Sequence, residues 1–519
     1  MEKRLIIAVI FSVVILYMFQ AMQPVPDRTA VVDEVATEDP VGVEVTETEE
    51  IEEVIEPEEL PEEEQTASIE NENIFIQVSS LGSGLRSFKI EDEKEGMVDL
   101  ILAPSPPLPL SSALAPESNW SLRETEKGVV AEYYTQNAAY YREFELDEKN
   151  ILRISNRIVN LTDRRLRVKI NSSWPGGLGT TEDLMEDNPG DNKPFAKIDG
   201  NVKRDLDKGT HEGKIEWAGI SNRYFISVFL GLEDYFSEIN VDSIFLHGGE
   251  YPSIELLGRI EIESGSEAVF TQLVYGGLKE YRIMSALAED LEGILAFGIF
   301  GFLSRLFLNI LLLFNTWVGN YGVAIIMLTF ILQFFFIPLT VKSYKSMHAM
   351  KELQPEIEKM RKKYKENPQR MNQEMMALYK RRGVNPLSGC FPLLLQMPVF
   401  IALFTMLREV AELRYASFLW VGDLSAPDSL FSAIPALRDI PYIGQYGPLP
   451  FLMGGAMFLQ QKVTAGAQGP QKSLTYMMPV IFTFLFMGFP SGLVLYWFVN
   501  SVITFIIQFF IGKKKIARS

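Results

Sequence analysis

Tyr496-Trp497-Phe498-Val499-Asn500-Ser501-Val502-Ile503-Thr504-Phe505-Ile506-Ile507-Gln508 places Tyr496, Asn500, Thr504 and Gln508 four residues apart inside an otherwise apolar run. On a helix that spacing is a slowly turning stripe along one face. Hydrocarbon penalises such groups unless they meet water or a partner. Thr329 and Gln333 repeat the spacing in an earlier apolar segment, and Gln396 lies within another. Two readings stay open. The stripe lines a half-hydrated groove that eases a polar peptide partway into the bilayer, where each unsatisfied backbone group costs several kcal/mol. Alternatively, it hydrogen-bonds helix to helix and only holds a bundle together.

Working outward, the expected spans are Trp317 to Leu339, Cys390 to Leu407, Leu449 to Gln461, Leu474 to Phe489 and Gly492 to Ile511. The Leu449 and Leu474 segments are shorter than the ~20 residues of a full crossing, which implies a locally thinned bilayer. A further apolar run, Leu5 to Met22, follows Lys3 and Arg4. It is read as an uncleaved signal anchor and not a cleavable signal peptide, because no small-residue cleavage site follows Leu16-Tyr17-Met18-Phe19. That makes six spans with both termini inside.

Charge sets the orientation. Residues 342–388 hold 12 Lys/Arg against 5 Asp/Glu, and the tail after Ile511 adds Lys513, Lys514, Lys515 and Arg518. Residues 33–64 hold 16 acids and no base, and residues 65–341 hold 24 bases against 39 acids. Cytoplasmic flanks collect Lys and Arg, so the basic loop and tail belong inside and the acidic region outside. The overall charge of −19 averages two compartments, and no DNA partner is expected. Ala296 to Phe314 is apolar but interrupted by Arg305. Were it also to span, the basic loop would emerge outside, so it is expected to lie along the outer interface.

The acidic, proline-punctuated stretch from Asp33 to Gln65 cannot bury a core and reads as a disordered tether. From Ser68 to Tyr275 the pattern changes to short alternating strands such as Ile74-Phe75-Ile76-Gln77-Val78 and Leu166-Arg167-Val168-Lys169-Ile170. Period two broken by turn residues predicts an antiparallel β-sandwich, and without cysteines its core must suffice. His211 and His247 lack a ligand pattern, so no metal is expected, and Gly82-Ser83-Gly84 and Gly176-Gly177-Leu178-Gly179 read as turns. The single cysteine, Cys390, reads as a small apolar residue.

The expected fold is therefore an α+β multi-domain membrane protein. Its parts are a signal-anchor span (1–26), an acidic linker (27–65), a periplasmic antiparallel β-sandwich domain (66–280), an interfacial amphipathic helix (281–316), a polytopic α-helical membrane core (317–511) and a basic cytoplasmic tail (512–519).

Within the core, residues 342–388 read as an antiparallel helical hairpin. Met350, Leu353, Ile357, Met360 and Tyr364 mark one helix from Ser343 to Lys365, and Met371, Met375 and Leu378 mark the second, from Gln369 to Arg382. The favoured reading makes this Met stripe the hairpin's own seam. The sharper one adds docking of varied apolar segments or a ribosome, since methionines repack easily and Lys362, Lys363, Arg381 and Arg382 make the outer face basic.

Several long strings resemble the YidC membrane protein insertase family. They are Met371-Asn372-Gln373-Glu374-Met375-Met376-Ala377-Leu378-Tyr379-Lys380, Val384-Asn385-Pro386-Leu387, Gly389-Cys390-Phe391-Pro392-Leu393-Leu394 with Gln396-Met397-Pro398, Pro479-Val480-Ile481-Phe482-Thr483, and Phe489-Pro490-Ser491-Gly492-Leu493-Val494-Leu495-Tyr496. Trp217 to Phe225 is more weakly similar to the outer domain of Gram-negative members. The resemblance implies an inner-membrane insertase and chaperone for nascent membrane proteins, acting alone or beside the Sec translocon. It implies a hydrophilic groove, here Thr329, Gln333, Gln396, Tyr496, Asn500 and Thr504, driven by burial of apolar substrate in lipid. No cofactor is implied, and no Walker motif is present. One position departs from the family. Where the family carries an arginine before Pro-Leu-Thr, this chain has Gln333 before Pro338-Leu339-Thr340, which keeps hydrogen bonding but removes a fixed positive charge.

Two other classes stand beside this. A transporter or channel would want intramembrane acids or histidines, which these spans lack. A tethered binding protein would depend on residues 66–275, whereas an insertase should largely survive their deletion, and a Sec-associated membrane chaperone without autonomous insertion is the other alternative.

Overall fold

Alternating apolar and polar residues build three sheets in this computed structural model, which describes residues 50–52 and 64–516 except 93–95, 103–106, 113–117, 180–190, 233, 247, 366, 385–390, 439, 441–442 and 465–469. The expected signal anchor, His247 and Cys390 lie outside the described residues.

The five-stranded sheet runs in the spatial order Glu50–Glu52, Arg165–Trp174, Gly249–Ile262, Phe236–Leu246, Gly209–Glu212. A nine-stranded sheet runs from Asn201–Lys203 through Glu267–Leu278 to Ser121–Glu124, and a four-stranded one from Thr66–Glu70 to Gly96–Asp99. On Arg165–Trp174, Leu166, Val168 and Ile170 are buried while Arg165, Arg167 and Lys169 are not, the period-two pattern of a half-buried strand. One apolar cluster draws on all three sheets and includes Phe88, Phe144, Trp174 and Phe229. Each such side chain contributes on the order of 1.5–3 kcal/mol by leaving water.

A charge also lies inside this core. Arg142 is buried and donates to the carbonyls of Ser83 and Leu110 (3.1 and 2.8 Å), to Ser83 Oγ and to Asn156 Oδ1. Burial pushes its guanidinium down to about 9. Both carbonyls belong to residues with positive φ (50° and 60°), so the arginine fastens two sharp turns.

One strand was not expected. Glu50–Glu52, within the stretch read as a disordered tether, pairs in parallel with Arg165–Trp174. Its acid–apolar–acid alternation meets a base–apolar–base alternation on the partner, with Glu50 opposite Arg165 and Glu52 opposite Arg167.

The helical part begins at α1 (Tyr281–Leu287), and α2 (Gly301–Val318) follows two short 3-10 turns. Gly319, in the left-handed region (φ 64°), ends α2 by donating its N–H to Asn315 O. The expected boundary at Trp317 therefore moves to α3, which starts at Tyr321 and runs unbroken through Pro338 to Glu352. Span and hairpin are thus continuous, and the expected single helix Ser343–Lys365 is interrupted at Leu353. Then come α4 (Gln354–Lys363), α5 (Pro368–Arg381), α6 (Phe391–Glu409), α7 (Leu449–Thr464), α8 (Pro470–Phe486) and α9 (Ser491–Ile516). Among the described residues, Gly298–Val318, Tyr321–Met350 and Ser491–Ile511 are long and apolar enough to cross a membrane.

The sheets and helices share a second apolar cluster. It includes Phe195, Trp217 and Tyr275 of the strands, Phe307, Leu308 and Leu311 of α2, and Ala402 and Met406 of α6, and α2 packs along α6. Beside it, Arg414 Nη1 lies 2.7 Å from Asp92 Oδ2 with both side chains nearly excluded from solvent, and the rings of Tyr224, Phe225 and Tyr415 surround the guanidinium.

Candidate functional site

The polar residues of α3 and α9 face one another. Thr329 and Gln333 lie one turn apart on α3 and are buried, as are Tyr496 and Thr504 on α9, with Asn500 half-buried between them. Gln333 Nε2 donates to Asn500 Oδ1 and lies 3.5 Å from Thr504 Oγ1. Its Oε1 is buried without a partner, an atom that could accept one more donor. Thr504 Oγ1 donates to Asn500 O (2.8 Å), and Thr329 Oγ1 donates to Ile325 O (2.7 Å), so both hydroxyls are tied to their own helices. One turn from Asn500, Tyr496 OH accepts from Gln396 Nε2 of α6. Five of the six expected groove residues thus form a contiguous ladder across α3, α9 and α6. Thr329 lies on the same seam without bridging it.

An aromatic wall backs the ladder. Trp497 sits 5.3 Å from Phe400, 5.4 Å from Phe486 and 6.0 Å from Phe482, and Phe486 stacks on Phe489 at 4.9 Å. Ridges of this kind fix side-chain positions and are worth ~0.5–1.5 kcal/mol per pair beyond burial. The pairs Phe400/Phe404 and Phe482/Phe486 at i,i+4 spacing were the available sequence signal, but in an apolar run they look like any other core residues. Reading the stripe on α9 also passed over Thr483 of α8, whose hydroxyl donates to Pro479 O (2.8 Å) and occupies the space a Cβ on Gly454 would need. It passed over Ser304 of α2 as well, which donates to Ala402 O (3.0 Å) beside Thr405 of α6.

In the hairpin, Leu353, Ile357 and Leu378 are buried together with Met360 and Met375 against them, while Met350 and Met371 are half-buried. Met360 and Met375 thus belong to the hairpin's own seam. Lys362, Lys363, Arg381 and Arg382 are exposed, Arg382 pairing with Glu356 at 2.5 Å. Among the described residues no group of His, Cys, Asp or Glu could hold a metal, and His211 Nε2 lies 2.9 Å from Asp207 O.

At the junction of sheets and helices, Glu412 Oε1 accepts the Tyr281 amide (2.7 Å) while its Oε2 is buried without a partner. Burial, with Glu280 nearby, raises this carboxyl to about 7 against the pull of the amide bonds.

Residues 313–518 match the 60Kd inner membrane protein family, and residues 176–310 match the YidC periplasmic domain. A membrane protein insertase YidC from Endomicrobium trichonymphae is 35% identical over 86% of this chain and 85% of its own length. Another, from Pelobacter propionicus, is 38% identical over 58% of this chain and 55% of its own. A crystal structure of an active YidC insertase with its first transmembrane domain resolved covers 88% of this chain and 95% of that one, at 19% identity and a TM-score of 0.39.

Proposed function

This chain belongs to the membrane protein insertase YidC family and is a membrane protein insertase, and from that premise we propose that the α3/α9/α6 ladder is where the polar end of a nascent inner-membrane protein is received. The observation that carries this is Gln333, which bridges two spans yet keeps one buried carbonyl oxygen unpartnered. A polar segment entering the seam supplies donors and acceptors to side chains now bonded to each other. Exchange of hydrogen bonds lowers the cost of crossing without creating a permanent aqueous pore. The apolar part of the client then leaves into lipid, driven by burial of its surface. This is transfer without covalent chemistry, so the protein is not an enzyme in the ordinary sense.

The finer topology follows the same reading. Six spans, counting the signal anchor, place both termini and the basic hairpin in the cytoplasm and the β-domain in the periplasm, in keeping with the charge distribution. We read that domain as an antiparallel β-sandwich, supported by the core shared between its sheets. We keep α2 along the outer interface in spite of its length. Its packing against α6, and its place in the apolar cluster that also holds Trp217 and Phe195 of the β-domain, support a helix lying where the two parts meet. The exposed Lys362, Lys363, Arg381 and Arg382 suit contact with a ribosome, and α3 and α9 present apolar surface suited to lipid or to a translocon such as Sec.

The test is reconstitution of the purified chain alone into liposomes, followed by protease protection of a freshly synthesised single-span protein with a short polar tail. Protection well above protein-free liposomes, lost on changing Thr329, Gln333 and Asn500 together to leucine, is the expected outcome. No protection by folded protein would leave a translocon-associated chaperone as the function, and protection untouched by the triple change would remove the ladder from the mechanism.

A further inference from the structure

The strand Glu50–Glu52 lies far in sequence from the insertion ladder and does not contribute to it. It is the outermost strand of the five-stranded sheet, next to Arg165–Trp174. Without it that neighbour would form an open edge, with a row of unpaired N–H and C=O groups ready to take up an extended chain. The register is chemically matched at each step, with Glu50 opposite Arg165, Ile51 opposite Leu166 and Glu52 opposite Arg167. A slip by one residue toward Trp174 would set the two acids opposite Leu166 and Val168, both of which are buried, so the alternation disfavours a one-residue slip. The match extends past the paired residues in the sequence. Glu47, Glu49, Glu53 and Glu56 flank the strand, and Arg164 and Lys169 flank its partners.

We propose that this sheet edge is a docking site for an acidic extended segment and that its occupant is the chain's own Glu50–Glu52, held there as a releasable latch. Arg165 and Arg167 already pair with Glu261 and Glu263 of the strand on their other side, so the acidic segment adds to an existing row of charges. That attraction brings it to the edge, backbone pairing holds it, and the three-residue length keeps it reversible, since a short strand gains few hydrogen bonds. Docked, only residues 23–49 separate the first apolar run from the β-domain, against 23–63 when released. Maximal reach scales with residue number, so docking shortens by about a third the distance the β-domain can move from that run. The latch also covers the edge against extended acidic segments of other chains.

Disulfide cross-linking in membranes tests this on the full chain with Cys390→Ser, which leaves only introduced cysteines. The pair Glu52→Cys with Arg167→Cys should cross-link at least roughly fivefold faster than the pair Val41→Cys with Arg167→Cys, because only the first sits in register. Adding Glu49→Lys, Glu50→Lys and Glu53→Lys, or raising salt to about 1 M, where the Debye length is ~3 Å, should bring the first rate down toward the second. These tether changes lie outside the apolar core, so the melting temperature should stay constant and report intact folding. Equal rates for the two pairs, or a fast in-register rate indifferent to charge reversal and salt, would overturn the latch.

Discussion

Replacing Gln333 by methionine separates the two things its amide can do. The amide donates to Asn500 Oδ1 and approaches Thr504 Oγ1 at 3.5 Å, so in the resting protein it ties α3 to α9. Interhelical bonds of this kind in membranes average ~0.6 kcal/mol and reach at most ~1.7. The same residue buries Oε1 without a partner, a cost of ~1–3 kcal/mol. Methionine, of similar length, removes both terms, and Asn500 is exposed enough to find other partners. The two changes oppose each other, so the net effect should lie between about 1 kcal/mol of loss and about 2 kcal/mol of gain in stability. Insertion has no such compensation. A polar segment that loses one partner on its way through the seam meets a barrier higher by ~1–2 kcal/mol, a rate lower by roughly 5- to 30-fold. Liposome insertion of a short-tailed single-span client, with thermal melting of the same preparation, measures both. A melting loss of over ~2 kcal/mol with a proportionate loss of insertion would mean that Gln333 only bolts two helices together. Unchanged insertion with unchanged melting would mean that its amide does not meet the client.

Gln333→Arg restores the charge that the family resemblance leads one to expect and should favour clients with acidic translocated ends by roughly tenfold over neutral ones. Insertion of matched acidic and neutral clients checks it, and equal gains for both would count against electrostatic capture. Asp92→Asn strands the Arg414 guanidinium in its buried ring cage. It should destabilise the chain toward the lower end of the ~3–5 kcal/mol typical of a broken buried pair, because Tyr415 OH still accepts from Arg414. The double change Asp92→Leu with Arg414→Met should recover most of that loss in a melting experiment, and a single variant that melts like the parent would refute the assignment. Glu412, raised from 4.5 to about 7, binds its proton more tightly in the folded than in the unfolded chain. The folded state therefore holds more protons between these values. Stability is highest below 4.5, falls as pH rises toward 7, and then levels off, by up to about 3 kcal/mol for the site. Glu412→Gln should flatten that part of the stability curve, and an unchanged curve would place the pH dependence elsewhere.

Some of this was legible without coordinates because hydrocarbon and β-pleating impose local periods. The four-residue stripe on α9 and the alternation Leu166, Val168, Ile170 each state a face before any partner is known, since the geometry of one helix or one strand suffices to place side chains on it. Element ends were harder. Trp317 looked like the start of a span, yet Gly319 stops one helix and starts the next, because a left-handed residue closes a helix whatever the hydropathy around it. The span looked to end at Leu339, yet α3 continues through Pro338 to Glu352, because the surrounding apolar run holds the helix through one missing hydrogen bond. A three-residue strand in an acidic stretch is too short for its alternation to stand out as a periodic signal.

By itself, then, the sequence determined that this is a membrane protein with a β-rich domain, which polar residues share a helix face and, through its long motifs, which family it belongs to. Those properties depend on neighbours a few residues apart. Only the tertiary structure decided that Gln333 meets Asn500, that Gln396 meets Tyr496, that Arg414 is buried on Asp92 and that Glu50–Glu52 finds Arg165 and Arg167. Each of those pairs joins residues about a hundred or more positions apart. Which of many chemically suitable partners comes within hydrogen-bonding distance is set by how whole helices and sheets pack, which no local pattern encodes.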